Sequence, residues 1–147
     1  MRIIVRSSAI QLESVWHWPG WLFTARDYVH AQRVRTEAMQ EWERVLSEVD
    51  AVMTPTTACL SPYLEPRSVR YGESDMSTQT ELMRYVVSGN FCGLPAISFP
   101  AGYSSEGIPI GMQAIAGHWQ ESLLLRLANV LDQKIERREP SAFFGVL

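Results

Sequence analysis

The sequence is poor in lysine: of its 13 basic residues only Lys134 is one. A Ser–Lys mechanism needs a lysine kept neutral in a dry pocket beside a nucleophilic serine. Lys134 stands with Glu136, Arg137 and Arg138 near the end of an expected helix, among other cations and close to water. The serine pairs Ser7-Ser8 and Ser104-Ser105 fall in a stretch without glycines and in an expected hairpin turn. No G-x-S-x-G elbow is present, which argues against an α/β-hydrolase nucleophile. His17, His30 and His118 have no metal-ligand spacing. Gly107-Ile108-Pro109-Ile110-Gly111 has glycines, but Pro109 interrupts any phosphate-cradling nest and no Lys-Ser/Thr follows. Glu41 with Glu43, and Glu136 with Glu139, lie on charged helical faces and read as solvated. The residues by themselves hold no complete active site, and no metal or cofactor is expected.

Other shortages narrow the class further. No run of about 18 apolar residues is present, so no helix is expected to cross a bilayer. Met1–Arg6 has an apolar core of three residues, Ile3 to Val5, where a signal peptide needs at least about seven. A net charge of −3 without a basic block gives no reason to expect a nucleic-acid partner. Cys59 and Cys92 have no metal spacing; two free thiols of an intracellular protein are preferred to a disulfide.

The 147 residues contain 46% hydrophobic and 20% charged residues, a globular composition with enough chain for one core. Residues 1–21 read as an irregular, aromatic-rich segment. Trp16-His17-Trp18-Pro19-Gly20-Trp21-Leu22-Phe23 suits burial against another protein surface, with peripheral membrane contact as the alternative.

From Ala25 to Val49 a helix is expected. Tyr28, Ala31, Arg35, Ala38, Trp42, Val45 and Val49 recur at spacings of three and four. Arg35 interrupts that stripe, either as a snorkelling side chain or as a buried donor to a carbonyl or carboxylate. Ala51–Pro55 reads as a short strand, and Thr56 to Asp75 as a long irregular connection. Thr78 with Glu81 fits a capping box, opening a helix that Gly89-Asn90 would end. Ala96–Phe99 and Ile110–Ile115 are expected strands joined by a turn over Tyr103–Gly107. A last helix over about Glu121–Arg137 would bury Leu124, Leu127, Ala128, Leu131 and Ile135. The order predicts an α/β fold with a mixed sheet, yet three strands are few for one.

Four ordered blocks carry a resemblance: Asp27-Tyr28-x-x-Ala31-Gln32-x-x-Arg35; Asp50-Ala51-Val52-Met53-Thr54-Pro55-Thr56-Thr57; Gly89-Asn90-x-x-Gly93-Leu94-Pro95-Ala96-Ile97-Ser98-x-Pro100; and Gly107–Gln113 followed by Trp119-Gln120-Glu121. Over residues 22–147 the chain resembles the amidase signature family. Leu82-Met83-Arg84-Tyr85, Ala101-Gly102-Tyr103 and Phe143–Leu147 favour fatty acid amide hydrolases of the plant type. Met83 stands where amidotransferase A subunits usually have an acidic residue, which argues against that type. The resemblance implies the C-terminal part of a larger fold, a mixed sheet flanked by helices, incomplete as a domain. It implies hydrolysis of a carbon–nitrogen bond in an amide with an acyl chain, such as an N-acylethanolamine. The family's two serines and lysine lie in segments without counterparts here, so no catalytic residue is carried over and the chain alone is expected to be inactive. The resemblance places Trp119 beside an acyl channel, with packing at a helix start as the alternative. Met53 and Thr54, at the end of a strand, are further substrate-binding candidates. A homodimer of the full enzyme is also expected. The competing expectations are a non-catalytic acyl-amide binding module and a segment of a glutamyl-tRNA amidotransferase of the A-subunit type.

Overall fold

The computed structural model describes residues 3–5, 23–63, 66–72, 75–136 and 138. The expected segment 1–21, the aromatic run up to Leu22 and the ending Phe143–Leu147 lie outside these residues, apart from Ile3–Val5.

Among the described residues a mixed sheet of four strands forms the centre, in the order β1-β2-β4-β3. β1 (Ile3–Val5) runs parallel to β2 (Ala51–Pro55), and β4 (Pro109–Ile115) is antiparallel to both β2 and β3 (Ala96–Tyr103). The fourth strand, β1, lies in the segment 1–21 expected to be irregular, where Ile3–Val5 pair with Ala51–Met53 of β2. β2 is an inner strand, and Ala51, Val52, Met53 and Thr54 are all buried. The β3–β4 turn is built by Ser104, whose Oγ accepts from the amides of Glu106 and Ile108 at 3.2 and 3.1 Å. Gly107 supplies the positive φ of +82° that closes it. β3 runs four residues beyond the expected end at Phe99. Proline is tolerated on an edge strand, and a register shift between Pro100 and Gly102 absorbs the irregularity.

Strand alternation divides the sheet into two faces. Met53, Phe99 and Ala114 point to one face, where α5 (Glu121–Asp132) covers them with Leu124 and Leu127. The expected stripe is present, but the helix stops five residues short of Arg137. The Lys134 amide turns back to the Leu131 carbonyl at 3.0 Å, an i−3 bond that tightens the end and stops propagation.

The other face meets a broken helix instead of the continuous one expected from Thr78. α3 (Met76–Met83) is capped by Asp75, whose carboxylate accepts from the Ser77 and Thr78 amides and from both hydroxyls. An ionised carboxylate is the stronger acceptor, so Thr78 donates to the cap rather than acting as one. Glu81 pairs forward with Arg84 instead of reaching back. After a turn at Arg84–Val86, α4 (Val87–Cys92) ends at Gly93, not at Gly89-Asn90. Gly93 takes φ +72° and the Leu94 amide reaches back to the Gly89 carbonyl at 3.0 Å. Gly89 stays helical and faces the sheet; a Cβ there would stand 3.6 Å from Ile115 Cδ1.

The Asp75 cap makes a pH prediction. The hydroxyl of Ser77, then the hydroxyl and amide of Thr78, hold its carboxyl at about 2 against an ordinary 3.8. A folded value below the unfolded one means that the cap's contribution is complete above 3.8 and lost as pH falls through about 2. A carboxyl-carbon NMR titration should put the Asp75 midpoint near 2; a midpoint at 3.8 would contradict the cap.

α1 (Ala25–Glu48) opens with a capping box absent from the expectations. Thr24 Oγ1 accepts from the Asp27 amide at 3.3 Å, and Asp27 Oδ2 accepts from the Thr24 amide at 2.7 Å. Thr-x-x-Asp is the signal for it in the sequence. The apolar stripe is only half covered: Arg35, Ala38, Trp42, Val45 and Val49 are half-buried, whereas Tyr28 and Ala31 are exposed. No residue of this 24-residue helix is fully buried. Arg35 is the bonded side chain of the two alternatives, its Nε donating to the Phe91 carbonyl at 2.8 Å. Further along the helix, Trp42 Nε1 donates to Ser88 Oγ at 2.6 Å. Both bonds fasten α1 to α4.

Candidate functional site

Two regions gather the polar chemistry of the described residues, a cleft at one end of β4 and a hydrogen-bonded sheet face. The first surrounds the loop Ala116–Gln120, between β4 and α5. The Gln120 amide donates to the Gly117 carbonyl at 3.1 Å, closing a tight turn, and Trp119 within it takes φ +64°. That is the left-handed region that glycine fills at little cost and a large side chain fills at about 1–2 kcal/mol. Trp119 is also 89% exposed. Packing at a helix start therefore does not account for the side chain among the described residues.

Trp119 borders a cleft of about 500 Å³ with Asn90, Gly93, Leu94, Pro95 and Glu121. His118 separates it from a second cavity of about 340 Å³, walled by Met39, Trp42, Leu46, Cys92 and Leu94. His118 Nε2 lies 3.1 Å from the Cys92 carbonyl, which fixes the ring between the two. Burial pushes the Cys92 thiol up, with Arg35 opposing. Cys59 and Cys92 are both free.

Because the Trp119 ring is unpacked and its backbone is strained, Trp119→Gly should stabilise the fold by about 1 kcal/mol. Trp119→Ala keeps the positive φ and should gain little. Urea unfolding of the two variants separates them; equal midpoints would contradict the strain.

The second region is the sheet face turned away from α5. Thr54 is 7% exposed and its Oγ1 accepts from Gln113 Nε2 at 2.9 Å. Gln113, 4% exposed, also donates to the Tyr85 carbonyl at 3.1 Å, tying β4 to β2 and to the α3–α4 turn. Met53 points the other way, into the core under α5. Alternation thus separates Met53 from Thr54, and neither lines the cavities beside Trp119. The three candidates are not brought together.

Beyond Thr54 the Thr56 amide continues the ladder to the Gly111 carbonyl at 3.0 Å, and Thr56 Oγ1 meets Ser98 Oγ at 2.7 Å. Sequence reasoning quotes Gln113, Thr56 and Ser98 within the family blocks but names none of them as a site residue. A single carboxamide within the apolar run Ile110–Ile115 is the one signal for the network. Among the described residues, no group of three His, Cys, Asp or Glu side chains could hold a metal. Nor is any described helix long and apolar enough to cross a membrane.

The amidase family profile matches residues 20–125. The chain is 42% identical over 127 residues to a fatty acid amide hydrolase of Medicago truncatula, covering 85% of this chain and 21% of that protein. It is 36% identical over 110 residues to the A subunit of a glutamyl-tRNA(Gln) amidotransferase from Psychrobacter sp. (strain PRwf-1), covering 72% of this chain and 20% of that protein. Among solved structures it is similar to the A subunit of the Thermotoga maritima glutamyl-tRNA(Gln) amidotransferase. There the TM-score is 0.63 at 26% identity, over 76% of this chain and 23% of that one. A 6-aminohexanoate cyclic dimer hydrolase gives a TM-score of 0.64 at 26% identity, over 82% of this chain and 27% of that one. The chain spans about a fifth of the length of the curated relatives it matches.

Proposed function

This chain belongs to the amidase family, whose signature hydrolases act on carbon–nitrogen bonds, and we propose that it is the C-terminal segment of one acting on fatty acid amides. The observation that carries the reading is the difference between two groups of relatives. Fatty acid amide hydrolases from four plant sources align over 126 or 127 residues at 36–42% identity. Amidotransferase A subunits align over 108–116 residues at 32–36%. The mixed sheet with α5 on one face and α3–α4 on the other supports the segment reading, as does an α1 without a fully buried residue.

In this proposal the segment supplies scaffold and substrate surface, and the serine and lysine chemistry comes from chain that it does not contain. Trp119 contacts the acyl part of the substrate, since its ring is held out beside a cleft despite the strain at its backbone. Thr54 acts from behind the surface by holding Gln113, and Met53 by supporting β2 from the core. Acyl-chain burial is driven by apolar contact, about 0.8 kcal/mol for each methylene removed from water. Peripheral membrane contact and a homodimer of the full enzyme are part of the same proposal.

Incubation of the isolated chain with a long-chain N-acylethanolamine should release no fatty acid above the buffer rate. Sustained hydrolysis by the purified chain would contradict the reading, because Lys134 lies just past the end of α5 and away from the sheet's polar face.

A further inference from the structure

Protein interiors pack as tightly as organic crystals and keep few voids larger than a water molecule. The cavity of about 340 Å³ between α1 and the end of α4 is far larger than that. Met39, Trp42 and Leu46 wall it from one stripe of α1, and Cys92 and Leu94 from the end of α4. The polar groups of this wall already have partners. Trp42 Nε1 donates to Ser88 Oγ at 2.6 Å, and the Cys92 carbonyl lies 3.1 Å from His118 Nε2. Cys92 is 0% exposed, and burial pushes its thiol up, with Arg35 opposing, so the sulfur stays neutral. Arg35 itself donates through Nε to the Phe91 carbonyl. Glu43 and His118, the other ionisable residues on the wall, are both exposed, and water at the opening meets their charge. What the wall offers an occupant is apolar contact. The cavity also shares Leu94 and His118 with the cleft of about 500 Å³ that Trp119 borders, so the two spaces adjoin.

We propose that this cavity binds the methyl end of an acyl chain that enters from the Trp119 cleft past His118; this rests on the fatty acid amide reading and gives the chain's far end its place. The carboxamide stays outside, beyond Trp119, towards the serine and lysine groups that this chain does not contain. A dry apolar cavity of roughly 150 Å³ holds one benzene, about six carbons. A volume of about 340 Å³ takes on the order of twelve by the same measure, more than one side chain of an adjoining protein supplies. A polar chain end would give up its water here without gaining a partner, whereas a methyl end gives up none. His118 is the partition, tethered by a single hydrogen bond that an entering chain has to displace or pass.

The test is an NMR titration of the chain with the N-(2-hydroxyethyl) amides of butanoic, octanoic and dodecanoic acid, each below its aggregation concentration. The Met39 and Leu46 methyl resonances should shift saturably with the octanoyl and dodecanoyl amides. They should stay in place with the butanoyl amide, which reaches the Trp119 indole alone. Affinity should rise about fourfold for each methylene while the cavity is filling, the ratio set by taking one methylene out of water. Leu46→Trp fills the cavity and should weaken dodecanoyl binding roughly tenfold or more. Leu125→Ala, on the exposed side of α5, should leave that binding unchanged. The chain-length series uses the parent protein, so it decides the matter even where Leu46→Trp does not fold. Equal affinities across the series, shifts confined to Trp119, or a folded Leu46→Trp that binds as the parent does would overturn the proposal. The titration needs no turnover, so its outcome stands apart from failure of the amidase reading in a hydrolysis assay. A hydrolysing full enzyme whose KM for the dodecanoyl amide ignores Leu46→Trp would overturn the cavity alone.

Discussion

Leu124→Ala is expected to cost the fold about 3 kcal/mol, within the 2–5 kcal/mol typical of a core leucine truncation. Leu124 is 2% exposed and packs from α5 onto Met53, Phe99 and Ala114, one residue from each of three strands. α5 alone covers this face among the described residues, so no second layer can collapse into the space left behind. A domain of this size has roughly 5–15 kcal/mol in all, and the variant should unfold at markedly lower urea. Leu125, next in sequence and 62% exposed, is the control. Leu125→Ala should fall within about 0.5 kcal/mol of the parent. A Leu124→Ala midpoint indistinguishable from that of Leu125→Ala would contradict the packing.

The second large effect is expected at Gln113. Gln113→Leu removes the donor shared by Thr54 Oγ1 and the Tyr85 carbonyl and leaves both acceptors at a buried site. Each such loss costs about 1–3 kcal/mol. Gln113→Glu should be worse at neutral pH, because a carboxylate then occupies a position 4% exposed and facing the same two oxygens. Burial raises the folded pKa of such a carboxyl. Its protonated form is therefore tolerated below the unfolded value of about 4.3, and stability falls as pH rises through the folded value. Thermal unfolding at pH 5 and pH 8 reads this directly: Gln113→Glu should lose more between the two than Gln113→Leu. Equal pH dependence would mean that the carboxamide is not buried as described.

What can be read in the chain follows from how local its causes are. The stripe Leu124, Leu127, Ala128, Leu131 gives α5 because a helical period is a property of neighbouring residues. β2 is equally plain in Ala51–Pro55. The α3–α4 break is not, since the Tyr85 carbonyl that leaves the helix is held by a carboxamide 28 residues later in the chain. Pro100 misleads for a similar reason. Proline stops an inner strand, but β3 is an edge among the described residues, and edge position is a tertiary fact. Arg35 has two readings until α4 places the Phe91 carbonyl beside it.

The site divides in the same way. Trp119 stands out by its motif, whereas its positive φ and exposed ring belong to the turn that Gly117 and Gln120 close and are not legible in the residue itself. Met53 and Thr54 read as a pair at a strand end, although alternation sends consecutive strand residues to opposite faces. The Thr56–Ser98 hydrogen bond cannot be read from the sequence at all. It joins side chains 42 residues apart across a strand that belongs to neither, and Gly111 signals only a generic glycine.

The central claim is that this chain supplies the scaffold and substrate surface of a fatty acid amide hydrolase, with the bond-breaking groups elsewhere. Its most direct test is exchange: the segment of the Medicago truncatula fatty acid amide hydrolase that aligns with this chain is replaced by this chain, and hydrolysis of a long-chain N-acylethanolamine is measured beside hydrolysis of glutaminyl amides. The account predicts a soluble chimera that releases fatty acid and leaves the glutaminyl amide intact. A soluble chimera that hydrolyses the glutaminyl amide and not the fatty acid amide would contradict it.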